Sequence, residues 1–215
     1  MIVVVGMPAW REIEPAGPDG RAYRIALAVA RRGASVELIG RAGDDPAGDA
    51  LMLALARVGV GHVALLRDPA RPTPIVNPPV EDGASVVEDE ADLVLADGER
   101  PSDAPVLEPA DVSLGLQYLP SYEVIVITDD VRADSIPVAA EAAAFAGAHL
   151  VVLVPEGLDA GGMPASATVL EAPLVDPDGT FAELVGAYTA ALDAGVNPAD
   201  AFAAARGGSW DRPDA

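Results

Sequence analysis

The sequence predicts an α/β protein in three layers, a mostly parallel sheet between helices, with a small β flap attached. Three observations predict it. Short continuous apolar runs, such as Ile2-Val-Val-Val5, Glu123-Val-Ile-Val-Ile-Thr128 and Leu150-Val-Val-Leu-Val154, have the texture of strands buried on both faces. Ala34 to Val60 reads as strand, acidic turn and helix, and a further apolar run, His62 to Leu66, completes a βαβ unit. Between Asp68 and Pro109 repeated prolines separate short alternating runs, which suit antiparallel edge strands rather than another βαβ unit.

Taken in order, Ile2 to Val5 is a strand closed by Gly6. Ala9 to Pro18 is polar and broken by Pro15 and Pro18. Gly20 to Arg32 carries Tyr23, Ile25, Ala26, Leu27, Val29 and Ala30 at helix-compatible positions and ends at Gly33. Val36 to Ile39 is a strand that stops at Gly40. Asp45 and Pro46 then open a helix, the Asp as cap and the Pro in the first turn, with Leu51, Leu55 and Val58 on one face. Ala84 to Glu88 and Ala91 to Ala96, joined through Glu88-Asp89-Glu90, form the expected flap, at about Arg71 to Gly98. Ser135 to Ala146 is an Ala-rich helix, with Pro137 tolerable in its first turn. Thr168-Val-Leu170 is a further short strand. Phe181 to Leu192 is a helix, Asn197-Pro198 caps a last one through Ala205, and Gly207 to Ala215 reads as a frayed polar tail. The 215 residues read as one domain, with no internal repeat.

The chain is 51% hydrophobic but only 4% aromatic, so Ala, Val and Leu must fill a sizeable core. Its formal net charge is −21, with 13 cationic side chains that are all arginine. Such a chain repels nucleic-acid phosphates and anionic lipid, which excludes both as expected partners. The missing lysine fits either a high-salt habitat or GC-rich coding. No cysteine is present, so neither disulfides nor thiolate chemistry is expected. The first residues lack a basic, signal-like segment, and no apolar run nears the ~20 residues of a membrane span, so a cytoplasmic location is expected.

Ligands of open parallel sheets bind beyond the carboxyl ends of the strands. Asp129 and Asp130 follow such a strand end; they suit sugar hydroxyls or a divalent cation, or simply the start of the next helix. Asp44, Asp45 and Asp49 have the same two readings. Arg11, Arg21 and Arg24 cluster near the first strand end and suit an anion, or surface pairing with Glu12 and Glu14. Two isolated histidines, His62 and His149, make a poor metal signature, and no metal site is expected. Trp10 suits ring stacking or a buried wedge. Neither a P-loop nor a GxGxxG dinucleotide motif occurs.

The stretch GRAGDDPAGDAL, with ARRGA before it and RPTP after it, resembles the PfkB (ribokinase-like) carbohydrate kinases. The resemblance covers roughly Ile2 to Pro155 and resumes at about Val175 to Ala205. It implies a Rossmann-like αβα fold with a β lid over the sugar that often pairs two subunits. It also implies where function would sit. The sugar-holding Asp after the first strand falls on Arg11. The signature GGxGxNxA falls on Asp19 to Ala26, keeping Gly20 and placing Arg24 at the sugar-binding Asn. The later acidic sugar contact falls on Asp129 or Asp130. The signature DTxGAGD falls on Asp176 to Ala182, which puts Ala182 at the catalytic base and Phe181 at an anion-hole glycine. Alanine accepts no proton. The segment from Pro155 to Val175 is too short for the family's nucleotide half.

These departures imply a shortened ribokinase-fold protein that has lost phosphoryl transfer and binds a small ligand or serves as a subunit, with no catalytic residue and no cofactor. The candidate ligand-binding residues are Arg11, Gly20, Arg21, Arg24, Asp129 and Asp130. Two rival readings stand beside it. One is an active sugar or nucleoside kinase using Mg-ATP, with Asp178, Glu183 or Asp130 as base and Arg21 or Arg24 on phosphate. The other is a structural homodimer joined through the flap.

Overall fold

A computed structural model describes residues 1–76, 104–158 and 161–210, the last three by backbone alone. Its strands are β1 (Ile2–Val5), β2 (Ala9–Arg11), β3 (Gly17–Asp19), β4 (Val36–Gly43), β5 (Leu65–Asp68), β6 (Val124–Ile127), β7 (His149–Pro155) and β8 (Ala167–Ala172). Its α-helices are α1 (Arg21–Arg31), α2 (Pro46–Arg57), α3 (Pro109–Tyr118), α4 (Ile136–Ala146), α5 (Thr180–Asp193) and α6 (Pro198–Trp210).

Six strands form one sheet in the order β5-β4-β1-β6-β7-β8, and every pairing is parallel. The uninterrupted aliphatic strands occupy its middle. β1 sends Ile2 and Val4 into one core and Val3 and Val5 into the other. β6 does the same with Val124 and Val126 against Ile125 and Ile127. The period-2 alternation of a strand therefore feeds two separate helix layers, which is why these runs carry no polar face. One layer is built from α1, α2, α5 and α6, the other from α3 and α4. Each buried aliphatic side chain contributes about 1.5–3 kcal/mol, so the small side chains compensate for scarce aromatics by number.

Several sequence boundaries move. β4 does not stop at Gly40 but runs on to Gly43, and its partner β5 begins at Leu65 rather than His62. The register explains both shifts: Gly40 faces Leu65, while Gly61 makes only an isolated bridge to Glu37. Gly40 is a place of close approach, since a Cβ there would lie 2.4 Å from the Gly6 carbonyl oxygen. Pro109, read as an interruption, is the first turn of α3, where its missing N–H costs nothing. The supposedly frayed Gly207 to Trp210 continues α6. Ala9 to Pro18 holds β2, which pairs antiparallel with β3 from Gly17.

The βαβ unit is as expected in its turn. Asp45 caps α2 by accepting from the Gly48 amide at 2.8 Å. It also accepts from the Thr73 amide and hydroxyl, each at 2.7 Å. Burial alone would raise the Asp45 carboxyl; the Thr73 and Gly48 donors, with Arg67, outweigh it and hold it below the usual carboxylate range. Asp44 and Asp49 both pair with Arg67. The two pieces of sequence that carried the resemblance, GRAGDDP and RPTP, thus meet through Asp45 and Thr73. Beyond Thr73, the Trp10 amide donates to Pro74 O and the Val76 amide to Trp10 O. The runs expected to form the flap, Ala84 to Glu88 and Ala91 to Ala96, lie outside the described residues.

Candidate functional site

The sheet order reverses between β1 and β6. β4 and β5 lie to one side of β1, and β7 and β8 lie beyond β6. This is the switch point at which an open parallel sheet leaves a crevice beyond its carboxyl ends. Gly6 and Met7 leave β1 there, and Thr128, Asp129 and Asp130 leave β6. Gly6 admits no side chain, because a Cβ would lie 2.1 Å from Thr128 Oγ1 and 2.7 Å from Ala22 Cβ. The Met7 amide donates to Asp130 Oδ2 at 3.0 Å. The Thr128 hydroxyl lies against both Asp130 Oδ1 and the Val5 carbonyl oxygen.

Arg21 reaches the same crevice from the first residue of α1. It is 6% exposed. Its Nε pairs with Asp129 Oδ1 at 2.8 Å, its Nη2 donates to the Pro173 carbonyl at 2.8 Å, and its guanidinium lies 5.5 Å from the centre of the Phe181 ring. Arg21 therefore ties β6 to the segment entering α5.

Arg11 and Arg24 do not join this cluster. Arg11 comes from β2 and Arg24 from α1, and both grip Asp19 at the end of β3. Arg11 Nη1 lies 3.1 Å from one carboxylate oxygen and Arg24 Nε 2.7 Å from the other. Arg24 Nη1 also donates to the Asp176 carbonyl at 2.6 Å. Arg11 and Arg24 thus close on Asp19, while Arg21 pairs with Asp129. Gly20 follows at φ 89° and ψ 153°, a conformation essentially restricted to glycine, and turns β3 into α1. Asp19 and its role escaped sequence reasoning. Its only signal was a carboxylate directly before that glycine and within reach of two arginines.

Arg11 and Arg24 line a shallow cleft of about 210 Å³ together with Arg31, Asp178, Gly179 and Ala182. The positions read from the resemblance as sugar-holding Asp, sugar-binding Asn and catalytic base therefore converge on one place, now as Arg, Arg and Ala. Ala182 is 2% exposed. The N-terminus of α5 is occupied from within: Asp176 Oδ1 accepts from the Phe181 amide at 2.9 Å, and Oδ2 from the Ala182 amide at 3.0 Å. These are the orphan donors a helix start offers an anion, and here a carboxylate of the same chain takes two of them. An anion placed on these two amides would meet that carboxylate. Glu183, next to Ala182, lines the same cleft and pairs with Arg31 and Arg32. Asp178 stays at the cleft and accepts from the Thr180 hydroxyl at 2.9 Å.

Elsewhere, His149 is exposed at the start of β7, and His62 is half-buried, its Nδ1 3.4 Å from Val60 O. Among the described residues no group of three or more His, Asp or Glu side chains is arranged to hold a metal ion. Trp10 is half-buried and packs against the core of the α1 layer.

The layers and the sheet order define a three-layer α/β protein with a ribokinase-like fold. Solved structures agree. The chain superposes on a ribokinase from Arabidopsis thaliana, determined with ribose and ATP, at a TM-score of 0.64 and 14% identity, covering 97% of this chain and 90% of that one. It superposes equally well, at 0.64 and 15% identity, on a protein described as a putative ribokinase II from E. coli, covering 95% and 90%. A sugar kinase from Pyrococcus horikoshii gives 0.51 at 13% identity, with 86% of this chain and 59% of that one covered. In sequence the chain is 34% identical over 111 residues to the bifunctional protein HldE of Nitrobacter hamburgensis, which is 51% of this chain and 22% of that protein. The chain thus spans about a fifth of that relative. No protein-family model matches the sequence.

Proposed function

We propose that this protein is a ribokinase-fold ligand-binding protein that no longer transfers phosphate. The observation that supports this most is the start of α5. A hydrophobic, buried Ala182 stands where the resemblance puts a proton acceptor, and Phe181 stands where it puts an anion-hole glycine. Phosphoryl transfer to a hydroxyl needs a group that takes its proton, which alanine cannot do, and a bulky Phe181 at the glycine position supports the same reading. Arg11 and Arg24 in place of an Asp and an Asn also remove the acceptors that would receive hydrogen bonds from sugar hydroxyls, because a guanidinium only donates. The ligand bound is therefore expected to be small and to present acceptor groups to the cleft.

Isothermal titration with Mg-ATP tests this reading. We expect no saturable heat up to millimolar nucleotide; a stoichiometric isotherm would refute it. The active-kinase alternative draws on one observation, that Asp178 lines the same cleft as Arg11, Arg24 and Arg31. On that alternative, replacing Asp178 with Asn would abolish a phosphate transfer that the unaltered protein carries out.

A further inference from the structure

The second helix layer carries only α3 and α4 among the described residues, and between their C-terminal halves runs an open groove of about 660 Å³. It lies at the end of the sheet where chains enter β6 and β7, opposite the cleft with Arg11 and Arg24. Its walls are helical stripes. Val138, Glu141, Ala142 and Phe145 stand at i, i+3, i+4 and i+7 on α4, facing Leu116 on α3 and Leu119 just beyond it. Phe145 is 95% exposed at the rim. A large aromatic side chain left in water beside an apolar trough is an unusual feature of a self-sufficient surface.

The electrostatics select the occupant. Glu123 and Glu141 are the charged residues on the walls, and among the described residues no arginine lines the groove. Neither carboxylate is in an ion pair with a described residue, although most described arginines are. A second copy of a chain with net charge −21 is repelled from such a face. We infer that the α3–α4 groove docks a cationic amphipathic helix of another protein, its apolar stripe against Leu116, Leu119, Val138 and Phe145 and its Arg or Lys side chains on Glu123 and Glu141. Two parallel helix stripes present ridges into which a third helix packs, and the docked helix completes the thin layer.

The probe is a fluorescent 14-residue peptide of Leu and Arg at helical amphipathic spacing, followed by anisotropy with the full chain at physiological salt. The expected result is saturable one-to-one binding. A scrambled peptide of the same composition and a Leu/Glu peptide should each bind at least tenfold more weakly. Phe145→Ser should also weaken binding at least tenfold, and the Glu123→Gln/Glu141→Gln double variant several-fold. Both variants alter exposed side chains, and unchanged melting temperatures would show them folded. Equal binding of the scrambled peptide, or no loss in Phe145→Ser, would reduce the effect to diffuse attraction and overturn the inference. So would absence of binding, or a solution mass near twice 21.8 kDa that Phe145→Ser halves, since the groove would then hold a second copy.

Discussion

Replacing Asp176 with Ala removes the carboxylate that occupies the start of α5. Two amides lose their acceptor, those of Phe181 and Ala182. A lost N-cap acceptor costs typically ~1 kcal/mol. The favourable placement of a negative charge at a helix N-terminus adds roughly 0.3–1 kcal/mol, and more when partly buried. Asp176 is 7% exposed and Ala182 lies in the core, so water reaches the freed Ala182 amide poorly. The expected loss is about 2 kcal/mol, or roughly 4–8 °C in melting temperature for a domain of this size. Asp176→Asn, which retains one acceptor oxygen, should lose about half as much. Urea unfolding of the three proteins gives the free energies. Sulfate supplies a second readout: it should raise the melting temperature of Asp176→Ala by more than that of the unaltered protein, because only the variant presents two vacant amides to an anion. A loss below about 0.5 kcal/mol in Asp176→Ala, or equal sulfate shifts in both proteins, would refute the claim that this carboxylate fills the anion site.

Two further outcomes follow from ion pairs. Arg21→Ala removes the Arg21–Asp129 ion pair in a largely buried crevice and unties Pro173, so a loss of about 3 kcal/mol in urea unfolding is expected; a loss under 1 kcal/mol would contradict it. Asp111 is held below the usual carboxylate range because hydrogen bonds and charge from Arg41, with the Glu108 amide, outweigh burial. Its contribution, like that of Asp45, is present above an unfolded pKa of ~3.9 and is lost as pH falls through the lower folded values. Arg41→Met should therefore shrink the acid limb of the urea-midpoint profile, with its loss relative to the unaltered protein full near neutral pH and vanishing as pH falls through the folded values. An unchanged limb would exclude the bidentate Arg41–Asp111 pair, at 2.8 Å for each bond, as a source of that pH-dependent stability.

Much of the fold was legible because its signals are local. β-branched runs mark β1, β6 and β7, and Asp45-Pro46 marks the start of α2. The errors came where a residue type serves two purposes. Gly40 looked like a stop but serves backbone approach inside the sheet. Pro109 looked like a breaker but sits at a first turn. The site was half legible. Which positions had changed could be read from the two degenerate signatures, and the structure brings Arg11, Arg24 and Ala182 to one cleft. That Asp19 takes both arginines and Asp176 takes the α5 amides was not readable. Those partnerships depend on how β3 and the α5 entry fold over the carboxyl end of the sheet, a long-range matter with no periodic signature.

The most direct measurement is phosphate transfer itself. Purified protein is incubated with Mg-ATP and a broad panel of sugars and nucleosides, and phosphorylated product is measured against a heat-killed control. With Ala182 where the resemblance puts the proton acceptor, no product above the control is predicted for any panel member. Product from even one sugar or nucleoside, retained after removal of contaminating kinases and lost in Asp178→Asn, would contradict the account.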